Sequence, residues 1–86
     1  MTAKEAIDQH LKRRLGDTFG LAVATMIIAS ASASTGAEVF DPGVEDFVKL
    51  ATAVCSDQRV LDMWGHAGAQ DALSQFKGMV TGGLVS

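Results

Sequence analysis

Between Asp17 and Glu38 the chain carries no charged residue; the twenty positions 18–37 hold Ala, Ser, Gly, Thr and aliphatic side chains with one Phe and one Met. A stretch of this kind can span a bilayer, serve as an export leader, or pack against other helices. The choice sets the class of the whole chain.

A bilayer span has one point in its favour: Lys12, Arg13 and Arg14 precede the stretch while Glu38 and Asp41 follow it, the asymmetry of a cytoplasmic N-terminus. Its length opposes it. The strongly apolar run from Phe19 to Ala29 covers roughly 16 Å at about 1.5 Å per residue, half of a hydrocarbon core about 30 Å thick, and the later turns carry Ser30, Ser32, Ser34 and Thr35. A leader would use the same basic run and an Ala-x-Ala series at Ala29, Ala31 and Ala33. Against it, the basic run belongs to a segment that reads as a capped helix, and cleavage would leave a remnant below the size at which domains readily fold alone. The favoured reading is a buried helix, and the alternative is a small membrane-associated protein that inserts residues 18–37.

Two sides of this helix are apolar or small. Phe19, Ala22, Val23, Met26, Ala29 and Ala33 form one stripe at helical spacing, and Leu21, Thr25, Ile28 and Ser32 a second. Small residues repeat four apart at Gly20 and Ala24, Ala29 and Ala33, and Ser30 and Ser34, which lets another backbone come close. Hydroxyls there can bond to carbonyls one turn back.

Around it, further helices follow. Thr2 and Glu5 form a capping-box pair, and Ala3, Ile7, Leu11 and Leu15 then recur every fourth residue, with Ala6 and His10 alongside. Gly16 is expected to stop this first helix, with Asp17 or Thr18 capping the second, which ends near Thr35 and Gly36. Asp41 and Pro42 read as a cap and first helical position, opening a third helix with the stripe Val44, Phe47, Val48, Ala51, Val54 and Cys55. Ser56 and Asp57 offer the next cap, Gly65 and Gly68 a break or kink around His66, and Ala69, Ala72, Leu73, Phe76, Met79 and Val80 a last helix stopped by Gly82 and Gly83. The expected fold is all-α: residues 1–86 as a single helical domain, a small bundle of four to five short helices with a central small-residue-rich helix.

Chemistry is sparse. Seven Lys and Arg against ten Asp and Glu give a net charge of -3, and the basic residues form no face that could track a phosphate backbone, so no nucleic-acid partner is expected. One cysteine, Cys55, makes no internal disulfide and favours a reducing, cytoplasmic setting. Cys55, Asp62 and His66 contain the residue types of a thiol nucleophile, its orienter and its base, but Cys55 lies on an apolar stripe, where burial makes a thiol inert. His66 with Asp62 and Asp71 lacks the spacing of a metal site. The glycines sit at helix ends and breaks, outside any phosphate-binding strand–loop–helix context. The chain is therefore expected to be a non-enzyme without catalytic, metal or cofactor residues.

What remains is interaction. Three short neighbours would not cover both sides of the second helix, which points to a homodimer or a subunit of a larger complex through Leu21, Thr25, Ile28 and Ser32. Trp64, beside a glycine break, is a candidate anchor, and Arg13 and Arg14 a docking patch for an acidic partner. The expected function is that of a small acidic accessory subunit or inhibitor acting by binding a larger protein assembly.

Overall fold

The computed structural model describes residues 2–81 and contains, among them, four helices and no strand. Helix α1 covers residues 3–19, α2 Leu21–Thr35, α3 Val44–Cys55 and α4 Gln58–Thr81. The bundle is all-α, with α1 along α2, α2 on α3, and α3 on α4, while the first turn of α1 also reaches α3. Thus α2 has α1 and α3 as its neighbours, and α4 packs chiefly on α3; the contacts do not single out α2 as the middle of the bundle.

Helix α1 begins as its sequence implies. The Thr2 hydroxyl accepts from the Glu5 N–H at 3.2 Å, and the Thr2 N–H donates to Glu5 Oε1 at 3.3 Å. Residues Ile7–Leu11 form a π-turn, closed by the Lys12 N–H on the Ile7 carbonyl. Its cause is legible in the spacing: residues four apart in an α-helix drift by about 40° per step at 3.6 residues per turn, so Ala3, Ile7, Leu11 and Leu15 would wander off one face. One wider turn absorbs the drift, and all four are buried.

The first helix does not stop at Gly16. It continues through Asp17 and Thr18 to Phe19, and the break falls at Gly20, with φ 87° and ψ 159°. Thr18 does not cap α2, because it lies within α1, where its hydroxyl donates back to the Arg14 carbonyl at 3.3 Å. Gly36, at φ 74°, ends α2 where expected. Helix α3 starts at Val44, two residues beyond Pro42, because the Asp46 carboxylate accepts from the Gly43 N–H at 2.8 Å and from the Glu38 N–H at 3.2 Å, pinning the loop outside the helix. Pro42 is buried in that loop. Asp57 caps α4, accepting from the Arg59 N–H at 2.8 Å. Gly65 (φ 74°, ψ 166°) kinks α4, which resumes at once, so Gly68 lies inside it. The stop expected at Gly82 and Gly83 lies outside the described residues.

The core is built from Leu11 and Leu15 of α1, Ile27 of α2, Phe47, Leu50 and Val54 of α3, and Val60 and Phe76 of α4, all essentially without solvent contact. Phe47 and Phe76 meet edge to face, centroids 6.2 Å apart at 86°, an arrangement favoured by the ring quadrupoles. Helix α2 turns a different side to this core than its stripes suggest. Ala24, Ile27, Ile28 and Ala31 are buried, whereas Ala22, Met26, Ala29 and Ala33 are exposed. Four of its five hydroxyls are satisfied locally: Thr25 donates to the Leu21 carbonyl, Thr35 and Ser34 to that of Ala31, and Ser32 forward to that of Ala37.

Candidate functional site

A groove runs between α1 and α2. At one end Ile7, Ile28, Ala29, Val39 and Phe40 line a cavity of ≈ 350 Å³ whose polar edge is Lys4, Asp8, Lys12 and Thr25. Asp8 and Lys12 also border an open depression completed by Arg13, Gly16, Asp17 and Leu21, so the two hollows adjoin along these side chains; together they are the furrow. They include the two most exposed large apolar side chains among the described residues, Phe40 at 82% and Leu21 at 67%. The π-turn contributes Ile7 and Asp8 to the wall, and the loop after Gly36 contributes Val39 and Phe40. Among the described residues one ion pair is present, Arg59 with Asp57 at 2.8 Å, and Lys4, Lys12 and Arg13 of the furrow take no part in it.

The expected interface residues divide between this furrow and the core. Leu21 and Thr25 are exposed on it, Ile28 reaches its floor but is 7% exposed and belongs to the bundle's own core, and Ser32 is half-buried and held by the Ala37 carbonyl. Arg13 lies on the rim. Phe40 and Val39 escaped the sequence reading, because an aromatic in a non-helical loop joins no periodic stripe; the one signal was its place between Glu38 and Asp41, where burial is not expected.

Arg14 and Trp64 meet each other elsewhere. The Trp64 Nε1–H donates to the Thr18 hydroxyl at 2.9 Å, the Arg14 guanidinium lies 5.3 Å from the indole centroid, and Arg14 Nη1 donates to Gln75 Oε1 at 2.6 Å. Trp64 is half-buried. These bonds and the cation–π contact tie the end of α1 to both halves of α4, so the polar handle of the indole and the charge of Arg14 are engaged inside the chain.

Cys55 and His66 share a third hollow of ≈ 240 Å³ with Ser56, Leu61, Ala69, Gln70 and Leu73. Burial pushes the Cys55 thiol up from its ordinary value, against a smaller opposing effect of the Arg14 charge. A thiol raised in this way is a weak nucleophile at neutral pH. Asp62 is outside the hollow and accepts from Gln58 Nε2 at 2.7 Å. Among the described residues no group of three His, Cys, Asp or Glu side chains is placed to hold a metal ion, no polar or charged side chain is buried, and no helix is long and apolar enough to cross a membrane. Compared with models of protein families, with curated proteins and with solved structures, the chain matches none.

Proposed function

We propose that this chain is a non-enzymatic protein–protein interaction module, an accessory subunit or inhibitor that works by binding a protein partner through the α1–α2 furrow, in the cytoplasm where Cys55 stays reduced. The observation that carries the reading is the pair of exposed apolar side chains, Leu21 and Phe40, in two adjoining hollows that share Asp8 and Lys12. Apolar side chains gathered on a concave surface with a charged rim are the usual makings of a recognition site. The bundle supplies a rigid frame for it, since the furrow's floor residues Ile7 and Ile28 are themselves core residues.

The test is association. The purified chain is expected to self-associate or to retain a stoichiometric protein partner from its native host, and the variant Leu21→Asp to lose that association while keeping its helical circular dichroism. A wild-type chain that stays monomeric and retains no stoichiometric partner refutes the reading.

A further inference from the structure

Going beyond association, we propose that the hollow between α1, α2 and the loop before α3 is a binding site for a small apolar carboxylate, a molecule with a short hydrocarbon body and one anionic group. The body lies on Ile7, Ile28, Ala29, Val39 and Phe40, and the carboxylate meets Lys12 and Lys4 at the polar edge. The volume of ≈ 350 Å³ falls at the lower end of the about 300–1,000 Å³ usual for small-molecule sites, which are mostly apolar with a few polar groups to orient the ligand.

The class of ligand follows from which polar groups in the hollow are still uncommitted. The Thr25 hydroxyl donates to the Leu21 carbonyl at 2.9 Å, and the N–H groups of Val39 and Phe40 both donate to Glu38 Oε1, at 3.1 and 3.0 Å. Those donors are spent inside the chain. What is left is the side chains of Lys4, Lys12 and Asp8, none of which has an oppositely charged partner within 4.0 Å among the described residues. Two ammonium groups against one carboxylate leave the hollow net positive on a chain whose total charge is -3. Lys12 is half-buried whereas Asp8 is exposed, so the cation is the less well hydrated of the two and gains more from a counter-ion. A ligand carboxylate supplies that counter-ion, and a cationic ligand would set like charge on Lys12.

The apolar part is fit to hold a hydrocarbon body. Its floor residues Ile7 and Ile28 are core residues, 4% and 7% exposed, so the floor is rigid. Ala29 is the small side chain whose lack of bulk leaves the volume open. Phe40 is a wall 82% exposed, on a loop braced by Glu38 and by Asp46, which accepts from the Glu38 N–H at 3.2 Å. A braced wall loses little freedom when a ligand covers it, and its ring has most of its area left to bury. The π-turn that sets Ile7 and Asp8 in the opposite wall is a geometry that recurs at functional sites.

Titration of the intact chain with sodium octanoate, followed by methyl NMR, tests this. Saturable shifts are expected for the methyls of Ile7, Ile28, Ala29 and Val39, with a dissociation constant on the order of 1 mM or tighter, and octylammonium should bind at least tenfold more weakly. Lys12→Gln should weaken octanoate about tenfold or more by removing a charge-assisted hydrogen bond. Ala29→Leu, which fills the hollow, should abolish binding, and both variants should keep the helical circular dichroism because neither residue is in the core. Octanoate shifts that do not saturate, that spread over all exposed apolar side chains, or that are matched by octylammonium overturn the site, as does binding indifferent to Lys12→Gln or to Ala29→Leu. The outcome is separate from association. A chain that retains a protein partner but takes no octanoate keeps the interaction reading and loses this one, and a monomeric, partnerless chain that binds octanoate does the reverse.

Discussion

Replacing Gly16 and Gly20 by alanine, one at a time, should move stability in opposite directions. Gly16 lies within α1, has ordinary helical φ, and a Cβ built there meets nothing within 4 Å. A glycine in a helix interior costs roughly 0.5–1 kcal/mol relative to alanine, so Gly16→Ala should stabilise by about that much. Gly20 has as much room but sits at φ 87° and ψ 159°, a region closed to side chains, where strain is on the order of 1–3 kcal/mol. Alanine also narrows the unfolded ensemble, which offsets about 0.4–1 kcal/mol. The net loss at Gly20 is about 0.5–2 kcal/mol, a sizeable part of the roughly 4–13 kcal/mol that a chain of this length possesses. For domains of this size 1 kcal/mol shifts Tm by about 4–8 °C. Thermal melts followed by far-UV circular dichroism, at matched protein concentration, should therefore rise by roughly 2–8 °C for Gly16→Ala and fall by roughly 2–16 °C for Gly20→Ala. The reverse pattern, with Gly16→Ala destabilised and Gly20→Ala not, places the turn at Gly16 and refutes the helix boundary.

Ile28→Asp, which puts a charge into the core, should cost well over 2 kcal/mol and abolish cooperative melting, whereas Leu21→Asp, on the exposed end of the furrow, should leave the monomer's Tm within the range of ordinary surface changes. Hydrogen bonds from the Gly43 and Glu38 N–H groups hold the Asp46 carboxyl below its ordinary value of 3.8. A depressed folded value adds stability that is complete above about pH 4 and is lost as pH falls toward the folded value; in Asp46→Asn the acid limb of a Tm-against-pH curve should be shallower, and an unaltered limb removes Asp46 as the cause. Cys55, 6% exposed and with its thiol raised by burial, should react with iodoacetamide only as fast as the chain opens, so labelling should accelerate with denaturant in step with unfolding; rapid labelling of the native chain contradicts the burial.

The helical class and most of the core were legible because their signals are local and periodic. The Thr2–Glu5 cap, the four-residue spacing of α1, and the Phe47, Ala51, Val54 and Cys55 stripe all survive in the folded chain. The boundaries read less well where a tertiary contact outbids a local preference. Thr18 is a good cap by type, yet its hydroxyl receives the Trp64 indole from a residue 46 positions away, and Asp46 reaches back over Gly43 to hold the helix start beyond Pro42. No window of sequence around Gly16 or Pro42 contains those partners.

The face of α2 was unreadable for a different reason. With Ala, Ile, Val, Ser and Thr on every side, burying one stripe gains nearly the same apolar area as burying another, so the choice falls to what α1 and α3 offer in return. Large aliphatics prevail because Ile27 joins one buried cluster with Leu11, Leu15, Leu50 and Val54 of α1 and α3, where Ala22 or Ala33 would leave a void. The bundle thereby places Ile27 and Ile28 inside and leaves a charge-free outer side of Ala22, Thr25, Ala29 and Ala33, with Leu21 and Met26 as its exposed bulk. Further bulk beside it comes from the loop before α3, in Phe40. That division of labour, with small residues giving close approach and one aromatic giving area, is why the furrow and the loop are best perturbed together: if Phe40→Ala and Ala29→Glu each reduce association, and the double change reduces it no further, the two are parts of one contact.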